Sequence, residues 1–413
     1  ILNKNDNGVL NLAAANGTWA GTLNINSGAV RLSNSLAAGT SVINVAPNSA
    51  AVGAALQLAG VTLANTINLQ GTGNQVQGGL DFGGQLSSFS GTNTLNGAVN
   101  FAFDAVLGVA AGSTLNLAGS TLNSGGALTN AVSQRSLTLN VAGTLNVSSP
   151  ITGAPTIYNV IKYGAGSMNI TTPQTFTVDT GAGQWFNIRG GEVVLSGGTL
   201  AATTANTPTG STGSATISLA GLDTVTGLGL RPGMFVAGTG VPTRATILSV
   251  DPIANTFVVS SVLTAPPTTA LKFLSGGTLS APTYLDRGAR LVVDNRSVPI
   301  LGADNITANG RLGTSSADAR DMVFRGGELY LRGSTINNDG ITEWVNRGLF
   351  RRGASTVTLE MNLSNRLNFV FASAPDNAVS PAQNANPGPQ GTSVLFRGNN
   401  FGVSNDVGNS NVV

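Results

Sequence analysis

Short runs in which apolar and polar residues alternate constrain this chain more than any other feature. Leu10-Asn11-Leu12, Leu23-Asn24-Ile25-Asn26, Val30-Arg31-Leu32, Leu115-Asn116-Leu117, Leu137-Thr138-Leu139-Asn140-Val141 and Leu145-Asn146-Val147 each read as a strand. Apolar side chains take one face and mostly Asn or Thr the other. Gly, Asn or Ser interrupts every few residues. No long window places apolar residues at helical spacing, and Glu, Lys and Gln are scarce.

The strands recur. Thr-Leu-Asn begins at Thr22, Thr94, Thr114, Thr121, Thr138 and Thr144. The step is 20 residues from Thr94 to Thr114 and 23 from Thr121 to Thr144. A unit that small cannot bury its own apolar face and needs neighbours above and below. A propeller blade needs about 40 residues, so the shorter step and missing helices predict a right-handed parallel β-helix, an all-β solenoid. Asn and Thr would form hydrogen-bonded ladders along the stack.

Composition excludes most chemistries. The 413 residues include no His and no Cys, and only 9% are charged. Ser-His-Asp triads, Cys nucleophiles, thiolate or imidazole metal sites and disulfides are therefore absent. Net charge is +2 and the longest basic run is Arg351-Arg352, so no nucleic-acid partner is expected. No apolar stretch has the length of a membrane helix. No Gly-x₄-Gly-Lys-Ser/Thr loop or Asp-rich calcium repeat occurs, and no cofactor or metal is expected.

The chain divides by character. Residues 1–200 read as coils. The hexamer Leu195 to Leu200 recurs as Leu274 to Leu279 around a different segment. That segment, 201–273, reads as an inserted small β-barrel or sandwich with strands near Ala215–Leu219, Met234–Ala237, Ala245–Val250, Thr256–Ser260 and Leu271–Phe273. Coils resume over 274–372. Residues 373–391 carry Pro375, Pro381, Pro387 and Pro389 and read as a linker. Residues 392–413 look like the start of a further unit. At about 22 residues per coil and ~4.8 Å per coil, the parts outside the insert predict on the order of 15 coils and a rod about 70 Å long.

Residues Leu2 to Gly39 carry a resemblance. They read Leu-Asn-Lys-Asn-Asp-Asn-Gly-Val-Leu-Asn-Leu, then Asn16-Gly17-Thr18-Trp19-Ala20-Gly21-Thr22, then Gly28-Ala29-Val30-Arg31-Leu32. This resembles the autotransporter-associated β-strand repeat, with Asp6-Asn7-Gly8 in place of the usual Gly-x-Gly. Weaker echoes run to about Leu200 and over Gly276 to Phe371. Gly233-Met234-Phe235-Val236-Ala237-Gly238-Thr239-Gly240-Val241-Pro242 looks like a small module of bacterial surface and phage-fibre proteins. The resemblance implies a passenger-type β-helix, secreted to a bacterial cell surface or extracellular matrix. It implies a structural or adhesive role and no chemistry.

The best catalytic candidates are Asp318, Arg320, Asp321 and Arg325, with Glu328 nearby. A carboxylate pair with Arg on a β-helix groove suits a polysaccharide lyase or glycoside hydrolase. The plainer reading is a charge ladder between coils, because carboxylates and Arg are interspersed through the final third: 276–413 hold 23 of the 38 charged residues. The duplicated Arg189-Gly190-Gly191-Glu192 and Arg325-Gly326-Gly327-Glu328 read as structural corners where Gly permits positive φ and Arg pairs with Glu. Of Trp19, Trp185 and Trp344, the last has the most polar setting and is the first choice for a binding residue. The expected partners are further copies or neighbouring repeats of this polypeptide, because the chain opens and closes inside repeat patterns. A surface polysaccharide is a further candidate.

Overall fold

The structure, a computed structural model, describes residues 1–46, 53–70, 76–77, 80–81, 83–101, 103–118, 122–123, 135–149, 151–152, 157–172, 174, 185–197, 199–204, 208–221, 223–228, 230, 234–242, 245, 247–275, 279, 281–297, 311–312, 320–334, 341–361, 367–371, 392–399 and 410–412. All regular structure among them is β, and no helix is long and apolar enough to cross a membrane.

Three long parallel sheets dominate, with seven, eleven and ten strands. The chain visits them in rotation. Val99–Phe101 lies in the seven-stranded sheet, Ala105–Val109 in the eleven-stranded sheet and Thr114–Leu117 in the ten-stranded sheet. The next circuit repeats this order with Leu122–Asn123, Arg135–Val141 and Thr144–Val147. Each strand pairs in parallel with its counterpart one circuit on, an arrangement consistent with a β-helix or solenoid. The alternation decides what lies inside: Leu115 and Leu117, Leu137 and Leu139, and Leu145 and Val147 are all buried in one continuous core.

Asn ladders run along the outside. In the seven-stranded sheet Asn24 donates to Asn3 (2.8 Å), and Asn44, Asn68 and Asn100 each donate to the Asn before (2.9 Å each). In the ten-stranded sheet Asn116 donates to Thr94, Asn146 to Asn116 and Asn169 to Asn146. Each side-chain amide is donor and acceptor at once, so an in-register row satisfies itself.

The register corrects the sequence-derived steps. Thr114 pairs with Thr92, while Thr94 pairs with Asn116. The strands following Thr121 and Thr144 lie in different sheets. Paired positions are 20 residues apart from Leu23 to Ile43, 32 from Ile67 to Val99 and 38 from Val293 to Leu331. Excursions between strands consume the difference. The largest sheet accordingly has eleven strands among the described residues, not about 15 coils.

The segment between the two hexamers builds its own core. Thr199–Ala202, Lys272–Ser275 and Phe235–Ala237 form one antiparallel sheet; Thr216–Ser218, Thr256–Val259 and Ile247–Asp251 form another. Phe257 meets Phe273 edge-on between them at 5.5 Å. The hexamers pair with each other, Leu200 opposite Leu274, so they form a stem. Below it the parallel stack continues: Gly191–Leu195 pairs directly with Ala289–Asp294. Residues 373–391 lie outside the described residues. Ser393–Gly398 pairs with Ala354–Glu360 and extends the ten-stranded sheet.

Candidate binding groove

The outward face of the eleven-stranded sheet carries an open groove of about 670 Å³, lined in part by Trp185, Tyr284, Val323 and Leu349. Tyr284, Val323 and Leu349 occupy the same register position on three successive strands. They alternate with Leu285, Met322 and Phe324, which point into the core. Parity therefore sends an aromatic and two aliphatic side chains outward, as a floor. Trp185 packs beside it, its ring 4.2 Å from that of Tyr284.

Charged residues stand at both ends of these strands. Asp321 precedes Met322 and Arg347 precedes Gly348, the partner of Met322. Arg347 is paired with Asp321, its Nε donating at 3.1 Å, and Asn346 donates to the same carboxylate at 2.8 Å. On the opposite side Arg325 lies 4.1 Å over the Tyr284 ring and 3.7 Å from Asp286. Arg351 follows Phe350, the register partner of Phe324, so it stands one coil from Arg325. Arg351 and Arg352 are exposed and complete the lining. Four Arg and one Asp give the groove an excess of positive charge.

The sequence-derived candidates are only partly brought together. Asp321 and Arg325 line the groove. Arg320 is exposed beside it, its carbonyl accepting the Asn346 N–H at 3.0 Å. Asp318 lies outside the described residues. Trp344 is half-buried on Ile341–Val345, opposite Val370, and does not line the groove. Among the described residues no cluster of three or more potential metal ligands occurs. Trp185, Tyr284 and Arg347 were not singled out together because only the register places them on one face.

The duplicated Arg-Gly-Gly-Glu corners pair through the coil between them. Arg189 and Arg325 both approach Asp286, at 4.0 and 3.7 Å. Glu192 and Glu328 both bind Arg290, each at 3.3 Å. Charge alternates from coil to coil, so Arg and Glu of one corner do not pair with each other as expected. A second row runs Asp294, Arg332, Glu360. Burial works to raise the Asp294 carboxyl, but Arg296 and Arg332 bring it below the usual range.

A polar plug sits in the core nearby. Glu343 is fully buried and accepts from Asn295 (2.7 Å) and from the backbone N–H groups of Arg311 and Leu312 (3.1 Å each). Burial pushes its carboxyl up, against these hydrogen bonds and the nearby Arg311. Arg311, pulled down to about 10 by burial, donates to the carbonyls of Asp294 (2.9 Å), Ser196 (3.3 Å) and Gly197. It thus ties down the chain where the insert departs.

The chain matches no protein-family model, no curated protein and no solved structure.

Proposed function

We propose that this chain is a right-handed parallel β-helix that acts as an extracellular structural or adhesive rod, without catalysis. The in-register stack with continuous Asn ladders carries the reading. Right-handedness follows from the crossover preference of parallel strands. A self-satisfied rod of small residues supplies stiffness and reach rather than a reaction centre. The groove supports the same reading: Asp321 is its single carboxylate, already held by Arg347 and Asn346, whereas acid–base work on a glycosidic bond uses two. A bacterial cell surface or matrix is the setting that the resemblance at Leu2 to Gly39 favours.

Self-association is part of the proposal. Among the described residues Leu2–Lys4 and Val9–Leu12 each have a strand on one side only. Leu2 and Val9 are exposed, and Leu10 and Leu12 only partly cover the core. Edges of this kind pair with a neighbouring repeat of the same polypeptide or with a further copy, and an end-to-end contact between copies that does not close builds a filament. Light scattering of the chain at rising concentration should show linear growth, reduced by Leu2→Lys with Val9→Lys. A strictly monomeric rod at high concentration would sink the assembly.

A further inference from the structure

We propose that the uncharged stretch of the ten-stranded sheet around Thr114 and Thr144 is an ice-binding face, with the ordered water of an ice surface as its ligand. The proposal goes beyond the structural role, and it rests on the register of the stack rather than on self-association.

The face is a grid. Thr92, Thr114, Thr144 and Ser167 are register partners on four successive strands, and so are Thr94, Asn116, Asn146 and Asn169. The ladder continues past the strand ends with Asn96, Ala118, Ser148 and Thr171. No bulge interrupts the register across these four strands. All the grid residues but Ala118 offer a hydroxyl or an amide, and all are exposed or half-buried. Buried residues such as Leu115, Leu145 and Met168 alternate with them, so parity keeps the grid outside. The other two sheets carry nothing equivalent. Thr22 of the seven-stranded sheet is followed in register by Val42. The eleven-stranded sheet places Val9, Ala29 and Ala55 in one row and Val106, Thr138 and Ile161 in another.

The fold leaves part of this grid unused. The Asn column is tied along the stack, which takes one amide N–H and one oxygen lone pair of Asn116 and of Asn146 and leaves the other of each. The hydroxyls of Thr92, Thr114, Thr144 and Ser167 make no hydrogen bond among the described residues. No charge stands in residues 92–96, 114–118, 144–148 or 167–171. Glu192, the register partner of Ser167, ends the grid. The fitting ligand is therefore neutral, extended and periodic, with donors and acceptors in every repeat. Spacing identifies it. Neighbouring strands stand ~4.8 Å apart and alternate residues along a strand ~7 Å apart. These approximate the a and c repeats of the oxygen lattice in hexagonal ice, over a patch about 14 Å on each side. The β-branched Thr side chains are stiff and the ladder already holds the amides, so seating a water lattice costs little side-chain entropy.

A crystalline neutral polysaccharide offers similar donors and acceptors but fits less well. Its flat sugar rings present C–H faces that suit aromatic side chains, and the grid contains no aromatic residue.

Slow freezing of a dilute solution of the whole chain, with an inert protein of similar size as reference, tests this. The chain should be enriched in the ice relative to the reference and should suppress recrystallisation. T114K/S167K replaces two hydroxyls that the fold does not use with cations that ice cannot pair. It should keep the wild-type circular dichroism while enrichment falls about tenfold or more. T22K, on the seven-stranded sheet, should enter ice as the wild type does. Exclusion of the folded wild-type chain from ice, enrichment unchanged in T114K/S167K, or enrichment lost in a folded T22K would each overturn the proposal. So would adsorption to microcrystalline cellulose that T114K/S167K abolishes, because the grid would then be a glycan site.

Discussion

Lys162 shows how much a single side chain does in so sparsely charged a chain. It is fully buried, and its ammonium donates to the carbonyls of Gly164 (2.8 Å), Gly166 (2.6 Å) and Gly190 (2.7 Å). Lys4 is held in the same way by the carbonyls of Asp6 and Ser27. Both lie at the third position of one pattern, since Val160 to Ile170 repeats the spacing of Leu2 to Leu12. In each case the next coil passes with a positive-φ glycine, Gly28 or Gly191; a Cβ at Gly191 would lie 2.4 Å from the Lys162 Nζ. Replacing Lys162 with Met leaves three carbonyls without their donor and should cost on the order of 2–4 kcal/mol at pH 7, read by denaturant midpoints. Burial pulls the ammonium from 10.5 down to about 8, with Glu192 opposing. Between these values the unfolded chain holds more protons than the folded one, so this group's contribution to stability rises with pH across that window and is lost as pH falls through about 8. The wild type should therefore gain stability relative to Lys162→Met from pH 8 to 10.5; a flat or falling difference contradicts the assignment. The pattern was legible in the sequence, but not that its lysine is a buried tie. Glu343 was hidden similarly: parity puts it inward with Ile341 and Val345 and leaves Trp344 outward, so the polar neighbours that recommended Trp344 include one that faces the core.

Among the elements, the segment between the hexamers is the clearest separable piece. Its strands were legible to within a few residues, because alternation and turn residues are local signals. The stem was not: both hexamers read as coil, whereas Leu200 and Leu274 pair across the base of the module. Only a structure shows that the strands of Gly191–Leu195 and Ala289–Asp294 meet underneath it. Deleting Leu195 to Phe273 leaves one hexamer between Val194 and Ser280. The corner from the Leu195 position to Leu279 would then span five residues, the same as from Leu117 to Leu122 elsewhere in the stack. Ser196 and Gly197, which accept from Arg311, have counterparts in the remaining hexamer. The shortened chain should keep its β-sheet circular dichroism and unfold cooperatively. Collapse of that spectrum would mean the module is integral to the stack.

For the whole molecule, strand type and inward face were legible because a period of two is written directly in the residues. Register was not, because it depends on how many residues each excursion consumes, and that varies from circuit to circuit. The groove shares this fate: Trp185 and Leu349 are 164 residues apart in sequence and line one groove only through the register of four strands. Parallel in-register stacking is thus the central claim, and the absence of Cys makes it directly measurable with paired spin labels. Asn11 and Asn140 are exposed on the eleven-stranded sheet, linked in register through Arg31, Gln57, Ser87 and Gly108. Five steps of ~4.8 Å place them about 24 Å apart. Double electron–electron resonance on N11C/N140C should give a narrow distribution near that distance. A broad distribution, or one centred more than about 10 Å away, would contradict the stack.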